Sequence, residues 1–277
     1  MAVQGLYSWW DEVDNSRAWQ SGVFYSLCAA YSLVGGVAAL QLMRIELRVP
    51  EYGWTTQKVF HLMNFIVNAA RAVVFGFHYK VFTFKPKVFR VVFLDLPGLL
   101  FFSTYTLLVL FWAEIYHQAR SLPTEGLRSI FLILNGIVYF IQVCIWLAEW
   151  ITMSEATIII TRLFLAVLSI TAALGFLTYG GRLFLVLRRF PIESKGRQKK
   201  LREVGFVTAI CFTCFLIRAV VAAWAAFNDM GDVDSLYHPI LNLFYYLIVE
   251  IIPASLVLFI LRKLPPKRVA VHYHAIR

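Results

Sequence analysis

Long unbroken apolar stretches, rather than alternating ones, dominate the chain. Seven can be delimited: Gly22–Met43, Val59–His78, Phe89–Tyr116, Ile130–Ala148, Ile158–Leu187, Gly205–Phe227 and Ile240–Leu261. Each meets the ~18–20 predominantly apolar residues that a helix needs to cross a hydrocarbon core of ~30 Å. A helix on the surface of a soluble domain keeps a polar face, whereas these are apolar nearly all round. The pattern predicts an all-α fold, a polytopic seven-transmembrane helix bundle. An extracytoplasmic segment covers 1–21, the membrane domain 22–262 and a cytosolic tail 263–277.

The polar gaps between the runs give the orientation. With the N-terminus outside, the first, third and fifth loops and the tail hold 17 of the 26 Lys and Arg, while the outer segments hold 5. Cytoplasmic loops carry the excess of cations, so the N-terminus is expected on the luminal or outer side and the C-terminus in the cytosol. The second loop, with Lys80, Lys85, Lys87 and Arg90, runs against this trend. Asp11, Glu12 and Asp14 precede the first run where a signal peptide would be basic, so that run is expected to act as an uncleaved signal anchor.

Composition agrees with a membrane protein: 60% hydrophobic, 15% charged, mean hydropathy +0.70. The formal net charge of +10 would suit nucleic acid, but its cations sit at helix ends, so no direct nucleic-acid binding is expected. They concentrate in the fifth loop (Arg188, Arg189, Lys195, Arg197, Lys199, Lys200, Arg202) and at the start of the tail (Lys267, Arg268). Attraction to anionic lipid accounts for part of this, at ~1 kcal/mol per cation near the surface. The sharper expectation is a docking surface for an acidic cytosolic partner. Self-association into a homo-oligomer is left open.

Ionisable residues inside the runs are the second informative class, since a charge at the bilayer centre costs ~2.5–3.5 kcal/mol or more unless paired. Counting ~1.5 Å per residue from the outer helix ends, Arg71 lies ~12 Å deep, Asp95 ~8 Å, and Arg218 and Glu250 ~14–16 Å. Arg71 with Asp95 and Arg218 with Glu250 are matched pairs, and cross-pairing is equally open. His61, Asn64, Asn68 and Arg71 share one helix face; Asn242, Tyr246 and Glu250 share another. Asp95 and Glu250 are each followed closely by a proline, Pro97 and Pro253. A buried polar network of these residues serves either as a structural lock or as a ligand or ion site. Arg162 is expected to snorkel to the outer interface.

Several chemistries are disfavoured. No run has a lysine in its core for a retinal Schiff base, and no three ligands share a depth for zinc. Cys28, Cys144, Cys211 and Cys214 all fall inside runs, so the Cys211-x-x-Cys214 spacing is read as packing. There is no phosphate loop and no nucleophile elbow. The third run ends Glu114-Ile115-Tyr116 rather than in an acid-Arg-Tyr triplet, so the motifs of the largest receptor class are missing. No enzymatic activity, catalytic residue, metal or cofactor is expected.

Five stretches carry a family resemblance: Glu46–Asn64 (ELRVPEYGWTTQKVFHLMN), Asp95–Ser103 (DLPGLLFFS), Phe111–Arg120 (FWAEIYHQAR), Arg188–Arg197 (RRFPIESKGR) and Leu261–Arg268 (LRKLPPKR). With them the chain, from about Ser8 onward, resembles the plant tobamovirus multiplication proteins. The resemblance implies a seven-helix protein of the vacuolar membrane that tethers the tobamovirus replication protein through its helicase region. It also implies association with an Arf-like small GTPase. The alternative from the residues alone is a receptor-like or transporter-like protein. A closed, dry interior favours the scaffold, and a connected polar cavity favours the alternative.

Overall fold

The computed structural model describes residues 12–48, 55–83, 87–152, 154–189, 195–227 and 239–262. Seven helices are long and apolar enough to cross a membrane, and among the described residues there is no strand. They are α1 (Arg17–Arg48), α2 (Thr56–Gly76), α3 (Lys87–Ala119), α4 (Glu125–Thr152), α5 (Glu155–Arg189), α6 (Lys195–Phe227) and α7 (Pro239–Leu261). A short helix, His78–Thr83, lies between α2 and α3. The odd-numbered helices begin at one face of the bundle, the N-terminal face, and end at the C-terminal face.

The helices outlast the apolar runs. The 32 residues of α1 and the 33 of α6 rise about 48 and 50 Å, well beyond a ~30 Å core. In α6 the excess lies at its start. The basic segment read as a loop is therefore largely helix from Lys195 onward. Two starts are capped: the Thr55 hydroxyl accepts from Lys58 N–H and that of Ser154 from Thr157 N–H, both at 3.3 Å.

α3 is the central helix. In its apolar window 72% of residues are buried, against 22% for α4, whose Leu132, Phe140 and Ile151 face outward as a lipid-contacting surface would. Around α3 the core is aromatic. Tyr105 meets Phe101, Phe176 and Phe215 with ring centroids 4.4, 6.1 and 5.4 Å away. Small residues set the closest approaches, as they do where helices associate without a hydrophobic driving force. A Cβ on Gly180 of α5 would lie 2.5 Å from Thr208 Oγ1 and 2.7 Å from the Trp112 ring, so only glycine fits that crossing.

Two helices widen into π turns, α5 at Phe176–Gly180 and α7 at Leu247–Ile251. The second has a readable cause. In a π pattern the N–H of residue 253 would reach the carbonyl of Ile248, and Pro253 has none. The buried thiol of Cys214 on α6 donates to that carbonyl instead, at 3.2 Å. Cys214 thus does more than fill space.

At the C-terminal face polar bonds tie the helix ends together. Gln57 Nε2 donates to the Leu261 carbonyl at the end of α7 (3.1 Å), and His61 bonds Gln41 of α1 (2.9 Å). Buried Lys58 pairs with Glu46 at 2.7 Å. Glu114 of α3 accepts from Arg128 of α4 (2.9 Å) and Thr56 of α2 (3.2 Å).

Candidate functional site

The membrane-embedded charges converge on one carboxylate. Glu250 stands in the π turn of α7 and is 1% exposed. Its Oε2 accepts from Arg71 Nε (2.9 Å) and from the Tyr31 hydroxyl (2.7 Å). Its Oε1 accepts from Arg71 Nη2 (2.7 Å) and Arg218 Nη1 (2.8 Å). Four helices, α1, α2, α6 and α7, are joined through this single side chain. The Arg71 contact is the bidentate fork that matches guanidinium to carboxylate geometry.

The surroundings hold the two arginines in place. The guanidinium of Arg71 lies 5.0 Å from the Tyr246 ring centre, and that of Arg218 lies 5.4 Å from Phe101. Aromatic faces attract such cations when water is absent. A Cβ on Gly98 of α3 would come within 2.6 Å of Arg218 Nη2, so the glycine after Pro97 leaves the space that Arg218 fills.

Asp95 takes a different place. It accepts from Trp146 Nε1 (3.0 Å) and Gln142 Nε2 (3.3 Å), both on α4. Glu149, one turn further along α4, accepts from Thr161 of α5 at 2.9 Å. Asp95, Glu149 and Thr161 line a cavity of about 250 Å³ in the N-terminal half of the bundle. Arg71, Arg218 and Tyr246 lie at its deep end; Arg90, Ile158 and Ala225 lie toward the N-terminal face. Its lining mixes these polar groups with apolar residues such as Leu94, Leu165 and Val221. Arg162, expected to snorkel to the outer interface, is half-buried near the start of α5. Its Nη1 donates to the Ala225 carbonyl near the end of α6.

The remaining polar residues read from the sequence are buried but scattered. Asn64 and Asn68 each donate back to their own helix, to the carbonyls of Phe60 (2.9 Å) and Asn64 (2.7 Å). His61 belongs to the C-terminal face, and Asn242 is buried on α7. Tyr31, Gly98, Gln142, Trp146 and Glu149 are the site residues that the sequence did not single out. None was marked by charge inside an apolar run, since Glu149 falls just past the fourth.

At the C-terminal face Arg188 and Arg202 are exposed, at the end of α5 and near the start of α6. Arg189 closes α5, and Lys195, Arg197, Lys199 and Lys200 occupy the opening turns of α6; the side chains of these five lie outside the described residues. Lys267 and Arg268 lie outside them altogether. Among the described residues no group of three His, Cys, Asp or Glu side chains converges as metal ligands would.

A family profile described as the THH1/TOM1/TOM3 domain matches residues 5–277. Tobamovirus multiplication protein 1 of Nicotiana tabacum is 66% identical over 269 residues, 97% of this chain and 93% of that protein. The protein of the same name from Arabidopsis thaliana is 64% identical, over 98% of this chain and 94% of its own length. Tobamovirus multiplication protein 3 of Nicotiana tabacum is 59% identical, over 98% and 92%. No solved structure matches the chain.

Proposed function

The chain belongs to the THH1/TOM1/TOM3 domain family, and from that premise we propose that it is a multi-pass membrane host factor for tobamovirus multiplication. It acts as a non-enzymatic scaffold of the vacuolar membrane. Its cytosolic face recruits the viral replication protein, through the helicase region, together with an Arf-like small GTPase. The observation that carries this reading is the match along nearly the whole length of relatives named for tobamovirus multiplication. The C-terminal face supplies the physical support. Its helix ends are cross-tied, and exposed Arg188 and Arg202 stand where α5 ends and α6 begins. A rigid positive surface steers an acidic partner and costs little reorganisation when it docks.

The test uses plant cells from which the chain's own relatives have been removed. Expressing the chain should raise tobamovirus RNA accumulation and bring the replication protein into floated membranes with it. Correct insertion with neither effect rejects the proposal.

Recruitment requires the C-terminal face to be cytosolic, as the cation bias predicts. In sealed vesicles with their cytosolic side outward, protease should remove a tag at the C-terminus and spare one at the N-terminus. The opposite pattern overturns the orientation and moves the basic surface to the wrong side.

A further inference from the structure

The charges at the deep end of the cavity do not balance. Arg71, Arg218 and Glu250 together carry one positive charge. All three are nearly sealed from solvent, with 4, 11 and 1% of their side chains exposed. Asp95 and Glu149 line the same cavity, yet among the described residues neither pairs with Arg71 or Arg218. Charge in a membrane interior is costly unless it is paired. Glu250 has nothing further to offer, because each of its oxygens already accepts two hydrogen bonds.

The two arginines differ in the edge they present to Glu250. Arg71 gives it Nε and Nη2, the side-on edge of the guanidinium. Arg218 gives only Nη1, at 2.8 Å. Its own Nε–Nη2 edge has no hydrogen-bond partner among the described residues. Those two atoms are not sealed in protein as Arg71 Nη1 is, and Arg218 lines the cavity. The open edge is therefore what this side chain shows to the cavity. Gly98 puts no side chain against Nη2, where a Cβ would come within 2.6 Å.

A guanidinium edge with two parallel N–H groups selects an oxyanion, as Arg71 already does with Glu250. One missing negative charge fits a carboxylate better than a phosphate monoester, which carries about −1.5 to −2 at pH 7. Leu94, Leu165, Val221 and Ala222 give the same cavity apolar walls. Its volume of about 250 Å³ lies below the ~300–1,000 Å³ of sites for drug-sized ligands. We propose that this cavity binds a small monocarboxylate with an apolar body, its two oxygens on Nε and Nη2 of Arg218. This binding function is separate from the recruiting role of the opposite face.

The experiment uses the full chain in nanodiscs of zwitterionic phosphatidylcholine, so that no anionic headgroup competes. Acetate, hexanoate and benzoate are titrated beside hexanamide, benzamide, chloride and inorganic phosphate. Calorimetry reads affinity and intrinsic tryptophan fluorescence reads the unfolding midpoint. Hexanoate or benzoate should bind saturably, raise the midpoint and outbind acetate, while its neutral amide binds about tenfold or more weakly. Arg218→Lys keeps the charge but removes the fork, and should cost the carboxylate about tenfold or more in affinity. Ala222→Phe fills the cavity, leaves the charges in place and should abolish binding. No saturable carboxylate binding even at millimolar concentration overturns the proposal. So does an amide, chloride or phosphate that binds as tightly as the best carboxylate, or unchanged affinity in either variant. Discs containing phosphatidic acid test for a lipid source; if they abolish the carboxylate titration, the site takes a headgroup and the small-acid reading fails. Should the variants not fold, the comparison of ligands on the unaltered protein decides alone.

Discussion

Glu250→Gln should destabilise the bundle by about 3–5 kcal/mol, the range for removing one partner of a buried ion pair. The direction follows from the count of charges. In the native protein two guanidiniums share one carboxylate. Glutamine leaves both cations facing each other across a neutral amide, away from water. Its own amide N–H₂ also points a donor where only acceptors are wanted. Unfolding in detergent, followed by tryptophan fluorescence, measures the loss.

The same count ranks the other variants. Arg218→Met leaves the bidentate Arg71–Glu250 pair, which is neutral overall, and should cost less than Glu250→Gln. Arg71→Met removes two hydrogen bonds to Glu250 and should fall between them. Tyr31→Phe deletes one hydrogen bond to a charged group, worth about 1.5–3 kcal/mol. Combining Glu250→Gln with Arg218→Met restores the native excess of one cation. The double variant should therefore be more stable than the Glu250→Gln single. If Arg218→Met proves the more damaging substitution, packing rather than charge governs the site and the ranking is wrong.

The seven helices could be read from the sequence because apolar length is a bulk property that the bilayer itself selects. Their ends could not. Arg44–Arg48 and Lys195–Val204 are polar enough to leave the hydrocarbon, yet they consist mostly of good helix formers and stay helical in water. The burial of Arg71, Arg218 and Glu250 was legible from cost alone, but their pairing was not. Depth matched Arg71 with Asp95 as well as with Glu250. The choice rests on rotation about the axis of α7, and the π turn at Leu247–Ile251 inserts a residue that shifts the following side chains by about 100°. A face assignment made at 3.6 residues per turn does not carry through such a turn. Asn64 and Asn68 shared a face with Arg71, but short amides readily bond the carbonyl four residues back, so sharing a face did not make a network. Gly98 mattered through the side chain it lacks, which no pattern of polar residues marks.

Reversing Lys195, Arg197, Lys199 and Lys200 to Glu should weaken recruitment of the replication protein or the small GTPase by on the order of tenfold or more. The helix they occupy makes this a clean test. These residues lie in the opening turns of α6, where the helix dipole presents its positive end. Glutamates there favour the helix, so lost recruitment does not arise from an unwound α6. Orientation should also persist, because the other cations of the C-terminal face, among them Arg44, Arg48, Arg120 and Arg128, keep the bias. Two consequences separate a docking surface from cations that only hold lipid and set topology. Recruitment by the native protein should fall as salt rises, since exposed charges are screened beyond ~8–10 Å at physiological ionic strength. The reversed protein should insert normally, pass the protease-protection test, and pull down little partner. Undiminished pull-down from correctly oriented membranes would reject the claim for α6. The partner would then have to meet the cross-tied helix ends around Arg44–Lys58 or Arg120–Arg128, where buried Lys58 and the Glu114–Arg128 pair already fix the geometry.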